Sequence, residues 1–324
     1  MTSVMFVVAL CMATSVTVVL SAGRLLERSR PSTVVPLLAI GSLFSAASLG
    51  LLLALLGKAV ASTLPEIAST AGWSIDRSAA TLPVPVLVCI AAGCIAAVLL
   101  ARTLWRAGRI SVLLVKSDRL GRRLRAGGSP IVFVDSDEAQ ADAYTLAGIK
   151  GCVVISRQFF SALGPREQQM LTGHELSHLR RRHHLYIHAV DLAVAANPIL
   201  TRVAPVIRLG VERWADEDAA AMMAGDRASA ATALASTALT RASLRRGGEG
   251  AVTKGKGAVP VLAVATSHVA QRARALLSPA PQRSVLTVLV AALMTATCIA
   301  TLATALHLHA GVEHAEIFQH ITHQ

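Results

Sequence analysis

Two histidines and a glutamate near the middle of the chain have the spacing of a hydrolytic metal site. They belong to the pentapeptide H-E-L-S-H at residues 174–178. On a helix, residues four apart lie on one face with about 5 to 6 Å between their Cβ atoms, so His174 and His178 could bind the same metal ion. Glu175 would lie beside that face, where it can take a proton from an attacking water. The spacing therefore predicts zinc-dependent hydrolysis with Glu175 as the catalytic residue.

A catalytic zinc ion usually has three protein ligands and an open fourth position, so one further ligand is expected. We predict Glu212 as that ligand, and Asp216, one helical turn later, as the acceptor that orients a ligand imidazole. The motif helix is expected to continue past residues 180–182. On such a helix His183 faces away from the ligands, so we expect His183 and His184 to be surface residues or neighbours of the ligands.

The composition of the chain is that of a membrane protein. Apolar residues make up 53% of its 324 residues and charged residues only 15%, which is too apolar for an ordinary soluble domain. Four apolar stretches reach or approach the length that crosses a bilayer, at residues 4–20, 34–56, 83–100 and 285–306. The first has no basic start and is predicted to be a retained span, not a cleaved signal peptide. Four of the five cysteines fall in these stretches and Cys152 is alone outside them, which favours a reducing compartment.

The basic residues predict the orientation of the chain in the membrane. The net charge is +12, and eight cations follow the third stretch: Arg102, Arg106, Arg109, Lys116, Arg119, Arg122, Arg123 and Arg125. Cations beside the end of a span favour the cytoplasmic side, where anionic lipid headgroups also lie. We therefore predict a multi-pass plasma-membrane protein with its N-terminus outside. Nucleic acid is not expected as a partner, because few aromatic residues accompany the cations for base stacking.

The chain between the third and fourth stretches is expected to form the functional domain. Its predicted bounds are residues 104–246, after three spans in 1–103, and a linker with an amphipathic basic helix follows at 247–284. Segments 131–135 and 152–156 are predicted to be strands of one small sheet, whose edge could bind an extended peptide. Pro165 is suited to the first position of the motif helix.

One apolar segment decides whether the predicted ligands can meet. Residues 189–207 contain Asn197-Pro198 and Ala204-Pro205, which favour a break into two short helices packed against the bundle or at the lipid interface. A fifth span would instead place Glu212 across the membrane from the two histidines. The following run, 219–239, is rich in Ala and Met and is predicted to be helical.

These motifs resemble those of the gluzincin metallopeptidases of membranes. The resemblance rests on H-E-L-S-H with His183 five residues further on, on Glu-x-x-Ala-Asp at 212–216 and on the strand-like segment 151–156. The layout of three spans, a protease domain and a fourth span resembles the BlaR/MecR-type signalling peptidases. The Glu-x-x-Ala-Asp signature is also similar to the HtpX and CAAX prenyl protease family.

The resemblance implies a mostly α-helical membrane protein, with four transmembrane helices and a helical zinc protease domain that contains a small β-sheet. One Zn²⁺ would be bound by His174, His178 and Glu212, with Glu175 as general base and acid and Asp216 orienting a ligand. The substrate would be a protein or peptide, such as a cytoplasmic transcriptional repressor in signalling. Membrane-protein quality control is the alternative. A catalytically silent receptor or scaffold with a structural metal is a further alternative, and a homo-oligomer is compatible with the sequence.

The C-terminal residues suggest one more hypothesis. Residues 307–324 contain five histidines and are expected outside the membrane, either as a metal-binding tail or as an interfacial helix. They hold no Ser-x-x-Lys motif of a penicillin-binding domain, so direct β-lactam sensing by the chain is not expected.

Overall fold

The computed structural model of the chain describes residues 2–61, 85–125, 128–135, 142–149, 151–248 and 258–280, and after them residues 285, 287–297, 299–300 and 303. The chain begins with three long helices: Thr2–Arg28 (α1), Pro31–Ala61 (α2) and Val86–Leu124 (α3). Each contains a stretch that is long and apolar enough to cross a membrane. The first three predicted spans are therefore confirmed as apolar helices.

The third helix extends well beyond the predicted end of its span. With 39 residues, α3 is about 58 Å long, whereas a hydrocarbon core is about 30 Å thick. The basic run therefore lies on the same helix as the span. Of the fourth predicted stretch, an apolar helix at Thr287–Thr297 is described, so a complete fourth span stays a prediction. The histidine-rich segment 307–324 lies outside the described residues.

The small sheet has three strands: Ile131–Val134 (β1), Ala143–Leu146 (β2) and Cys152–Ser156 (β3). The prediction that β1 and β3 are strands of one sheet is confirmed; the two strands pair in parallel, with Ile131 opposite Val153. The strand β2 was missed, because its four residues follow a polar, aspartate-rich segment and show no strong alternation. It pairs antiparallel with β3, which makes β3 the central strand and β2 an edge.

The motif helix is shorter than predicted. A short helix, Arg157–Ser161 (α4), precedes it, and the motif helix Pro165–Arg180 (α5) begins at the predicted proline. The expected continuation past residue 182 is wrong, since Arg182 has a left-handed backbone with φ 51°, which cannot be part of a right-handed helix. A new helix, His183–Ala196 (α6), starts directly after it. The chain therefore changes direction between His178 and His183.

The apolar segment 189–207 packs against the first two spans. Its break at Asn197-Pro198 is confirmed by a 3₁₀ helix at Pro198–Arg202. The second break is wrong, because Pro205 lies in the first turn of the helix Val203–Met222 (α7), where no backbone N–H is needed. Side chains on both sides of the break pack against α1 and α2 in one core cluster: Val190, Leu200 and Ile207 against Leu25 and Leu38. The segment is not among the helices that are long and apolar enough to cross a membrane in the described part of the chain. Its packing agrees with the predicted helices against the bundle, although α7, with 20 residues, is not a short helix.

Buried polar side chains fix the position of that break. The amide of Asn197 donates hydrogen bonds to the hydroxyls of Ser15 and Ser45, at 3.1 and 3.2 Å. Ser15 and Ser45 lie on α1 and α2, and all three side chains are buried. The end of α6 is thus tied to both helices by groups that would be costly to leave unpaired.

The remaining helices complete the domain. The predicted helical run at 219–239 is confirmed except for a break, where Ala224 and Gly225 have φ 60° and 78° and separate α7 from the helix Arg227–Gly248 (α8). The amphipathic helix, which the sequence predicts at 267–277, is confirmed and begins earlier, as Ala258–Leu277 (α9). Part of the expected linker is therefore helical, and residues 249–257 lie outside the described part of the chain.

Candidate metal centre

The two helices that carry the predicted ligands lie in close contact. An added Cβ at Gly173 on α5 would be 3.1 Å from the Cα of Ala219 on α7, which is tighter than an ordinary van der Waals contact. A glycine thus allows the two backbones to approach. Because α7 packs against α5, Glu212 and Asp216 on α7 face the motif histidines.

Three donor atoms converge at the centre of this contact. The Nε2 atoms of His174 and His178 are 3.1 Å apart. Glu212 places Oε2 at 3.5 Å from Nε2 of His174 and Oε1 at 3.5 Å from Nε2 of His178. Two ligand atoms bound tetrahedrally to one zinc ion are separated by about 3.3 Å, given bonds of about 2.0–2.1 Å. The spacing and the chemistry of the donors therefore fit a zinc ion, and all three donors lie within 4.8 Å of one another.

Two further side chains hold the rings of the histidines. The carboxylate Oδ1 of Asp216 lies 3.0 Å from Nδ1 of His174, so it accepts the ring N–H and leaves Nε2 directed at the other donors. His183 places Nδ1 at 3.2 Å from Nδ1 of His178. Of the two alternatives expected for His183, the buried neighbour of a ligand is the one observed, since its side chain is 1% exposed and packs against Trp214.

The site contains an arginine that we did not anticipate from the sequence. Arg272 on α9 donates from Nε and Nη2 to the two oxygens of Asp216, at 2.8 and 2.6 Å. Its Nη1 lies 2.8 Å from Oε2 of Glu212. The only signal in the sequence was that Arg272 belongs to a basic amphipathic helix, a pattern that usually indicates a solvated face.

The electrostatics of the site follow from these contacts. Burial alone would lower the pKa of His174, but hydrogen bonds to Asp216 and Glu212 outweigh it and raise the pKa to about 9. Burial and the neighbouring His174 lower the pKa of His178 to about 3. Metal binding would therefore displace a proton from His174, because a ligand histidine binds in its neutral form.

The carboxylates respond in the opposite direction. Burial would raise the pKa of Glu212, but the hydrogen bond with His174 and the charge of Arg272 hold it well below its ordinary value. Burial would also raise the pKa of Asp216, and the guanidinium of Arg272 outweighs that effect and lowers it. Both groups therefore carry their negative charge at neutral pH, as a ligand and an orienting acceptor require.

Glu175 lies in the cleft that contains the three donor atoms, and a hydroxyl group holds one oxygen of its carboxylate. The hydroxyl of Thr145 on β2 is 2.8 Å from Oε2 of Glu175 and 3.0 Å from its backbone oxygen. Glu175 itself is buried. The cleft has a volume of about 360 Å³. His174, Glu175, His178, Glu212 and Arg272 line it together with residues of β2, α5, α6, α8 and α9, including Ala143, Tyr144, Met170, Leu171, His184, Leu234, Thr237, Arg241 and Val269.

Comparisons with known proteins place this arrangement in a family. A family model described as Peptidase family M48 matches residues 115–284, more than half of the chain, and the matched part includes both histidines, Glu175, Glu212 and Arg272. No curated protein and no solved structure matches the chain significantly. With its apolar helices long enough to cross a membrane, the chain is a membrane metallopeptidase and belongs to peptidase family M48.

Proposed function

We propose that the chain is a zinc-dependent endopeptidase in which His174, His178 and Glu212 bind one zinc ion. The observation that carries the proposal is the convergence of three donors from two helices, at separations of 3.1 to 3.5 Å. A chance cluster of side chains would not hold two imidazoles and a carboxylate at the spacing of a tetrahedral ion. Asp216 is assigned the role of orienting His174.

The catalytic step uses Glu175 as general base and then as general acid. Zinc at this site supplies a Lewis acid that lowers the pKa of water and polarises a peptide carbonyl. Glu175 takes a proton from the attacking water and passes it to the amine that leaves. The hydroxyl of Thr145 engages Oε2, so we assign the proton transfer to Oε1. The contact also holds the carboxylate in one orientation, which general-base catalysis requires.

The substrate is a polypeptide that binds in extended form along β2. Among the described residues β2 pairs with β3 alone, and Ala143, Tyr144 and Thr145 of β2 line the cleft. An extended peptide can add to such an edge by main-chain hydrogen bonds, largely independent of its sequence. Binding of this kind supports cleavage within a chain and not only at its ends.

We further propose that residues 104–246 form the protease domain at the cytoplasmic face, with the N-terminus outside, and that cleavage serves signalling by cutting a cytoplasmic regulator such as a repressor. Support comes from the cations on the distal part of α3, which favour the cytoplasmic side. The three preceding apolar helices agree with this layout.

Substitution of Glu175 by Gln tests the enzyme mechanism. We expect the Glu175→Gln protein, purified in detergent, to bind zinc like the wild type while cleavage of unfolded casein falls by at least about 100-fold. Equal cleavage by both proteins would contradict the mechanism, and zinc binding without any cleavage by the wild type would favour a scaffold with a structural metal. In cells, new protein N-termini that appear with the wild type but not with Glu175→Gln would identify the substrates. Fragments of one soluble regulator would support signalling, and fragments of many damaged membrane proteins would support quality control instead.

A further inference from the structure

Arg272 is the side chain of the site whose role the proposed function leaves unassigned. It comes from α9, whereas the proposed ligands come from α5 and α7, and it is 13% exposed. A guanidinium this deeply placed is stable only when its N–H groups are paired. Here Asp216 and Glu212 accept them. The fork geometry lets Arg272 bind both oxygens of Asp216 and still reach Glu212 with its remaining nitrogen.

The helix that carries Arg272 is itself held firmly against the site. Val269, Ala273 and Leu276 repeat at helical spacing and pack in a cluster with α5, α7 and α8. Arg227 at the start of α8 donates to the backbone oxygens of Ala275, Leu276 and Ser278, at 2.8, 3.1 and 3.1 Å. It also forms an ion pair with Glu217 on α7. Arg227 thus satisfies carbonyl groups at the end of α9 and ties this end to the helix that carries Glu212.

We propose that Arg272 is a positioning residue, which holds Glu212 and Asp216 in the orientation that binds the metal. By donating to both oxygens of Asp216, Arg272 fixes the position of the carboxylate that accepts the ring N–H of His174. By donating to Oε2 of Glu212, it fixes the rotamer of that side chain. Arg272 acts on the metal through these two carboxylates. This inference rests on the proposed function, because it takes Glu212 to be a ligand.

Orientation and charge make opposite predictions for the loss of Arg272. Glu212 and Asp216 contribute two negative charges, and the guanidinium cancels one of them. If Arg272 acted only through its charge, its removal would make the site more negative and increase the affinity for Zn²⁺. If it orients the ligands, its removal must weaken zinc binding, by about 10- to 100-fold as for other residues behind metal ligands. The direction of the change separates the two roles.

The test measures the zinc dissociation constant of the full chain in detergent by competition with a chelator. We expect Arg272→Ala to bind zinc about 10- to 100-fold more weakly and ethylguanidinium, which can refill the space between the two carboxylates, to restore much of the affinity. Arg272→Lys keeps the positive charge and should fold, but it lacks the planar guanidinium that donates to both carboxylates. This variant should therefore also bind zinc more weakly. Arg274→Ala removes an exposed cation from the same helix and is the matched control, with unchanged affinity.

The outcomes separate this inference from the proposed function. Zinc affinity in Arg272→Ala and Arg272→Lys that equals or exceeds the wild-type affinity would overturn the positioning role. Loss of zinc in His174→Ala and Glu212→Gln alongside that result would leave the proposed ligands intact. If His174→Ala and Glu212→Gln bind zinc as the wild type does, the ligand set itself is wrong. The Co²⁺-substituted protein adds a spectroscopic readout, because its visible absorption should change in Arg272→Lys only if the ligand geometry changes.

Discussion

The Nδ1 atom of His183 lies 3.2 Å from the Nδ1 atom of His178, although the two histidines are on different helices. The left-handed backbone of Arg182, with φ 51°, turns the chain so that α6 starts beside the end of α5. His183 is then buried between His178 and Trp214. His183 thereby holds the ring of His178 from the side away from the metal, as Asp216 does for the ring of His174.

The first prediction concerns that contact. We expect His183→Ala to weaken zinc binding by about tenfold, since partners behind metal ligands typically contribute 10- to 100-fold in affinity. His183→Asn, which retains a polar nitrogen near the same place, should lose less. His184→Ala serves as the control, because His184 lines the cleft without a contact to a ligand ring among those described. An unchanged zinc dissociation constant in His183→Ala would show that His178 needs no partner.

The second prediction concerns the turn that places His183. A non-glycine residue in the left-handed region costs roughly 1–2 kcal/mol, so Arg182→Gly should be neutral or stabilise the fold by up to about 1 kcal/mol once the entropy of glycine is included. Arg182→Val should destabilise it, because a β-branched side chain fits this conformation poorly. The midpoints of thermal unfolding in detergent measure both changes. A higher midpoint for Arg182→Val than for Arg182→Gly would contradict the assigned backbone.

The third prediction concerns the support of the general base. Thr145→Val removes the hydroxyl that contacts Oε2 of Glu175 and keeps the shape of the side chain. We expect kcat on casein to fall about tenfold or more, because a hydrogen bond to a charged group contributes about 1.5–3 kcal/mol and about 1.4 kcal/mol corresponds to tenfold. Zinc affinity should not change. Thr145→Ser restores the hydroxyl and should recover most of the activity, and failure to do so would mean that the methyl group, not the hydroxyl, matters.

The fourth prediction concerns an ion pair that joins the third apolar helix to the site. Asp191 on α6 accepts from Arg106 on α3 at 2.7 Å and from Arg208 on α7 at 2.6 Å. Arg208 lies one helical turn before Glu212. Asp191→Asn leaves the two guanidinium groups without their shared carboxylate, and we expect a loss of about 1–2 kcal/mol because the carboxylate is largely buried while the arginines are partly exposed.

Thermal unfolding of Asp191→Asn measures that loss. Its matched control is Asp135→Asn, which removes a similar bond between Asp135 and Arg157 at 2.6 Å. Both of those side chains are exposed, so the effect should stay below about 0.5 kcal/mol. Equal effects of the two substitutions would show that the Asp191 contact adds no more than an ordinary surface pair.

Much of the fold could be predicted because it depends on local patterns. Apolar stretches of sufficient length indicated the first three spans, β-branched runs indicated β1 and β3, and Pro165 indicated the start of α5. The strand β2 was missed because four residues next to a polar segment acquire their strand conformation from pairing with β3 and not from their own periodicity. The end of α5 was missed for a similar reason, since Arg182 adopts a conformation that its side chain does not favour.

The residue types and spacing of the motif were enough to predict a metal site and its general base. The spacing of His174 and His178 places two imidazoles on one helical face, and the neighbouring glutamate follows from the same local geometry. The residues that surround these three side chains depend on how distant helices pack. Arg272 is 98 residues away from His174 along the chain, and its contact with the site arises because α9 packs against α5, α7 and α8. No local periodicity encodes a contact over that distance, since it depends on how whole helices pack against one another.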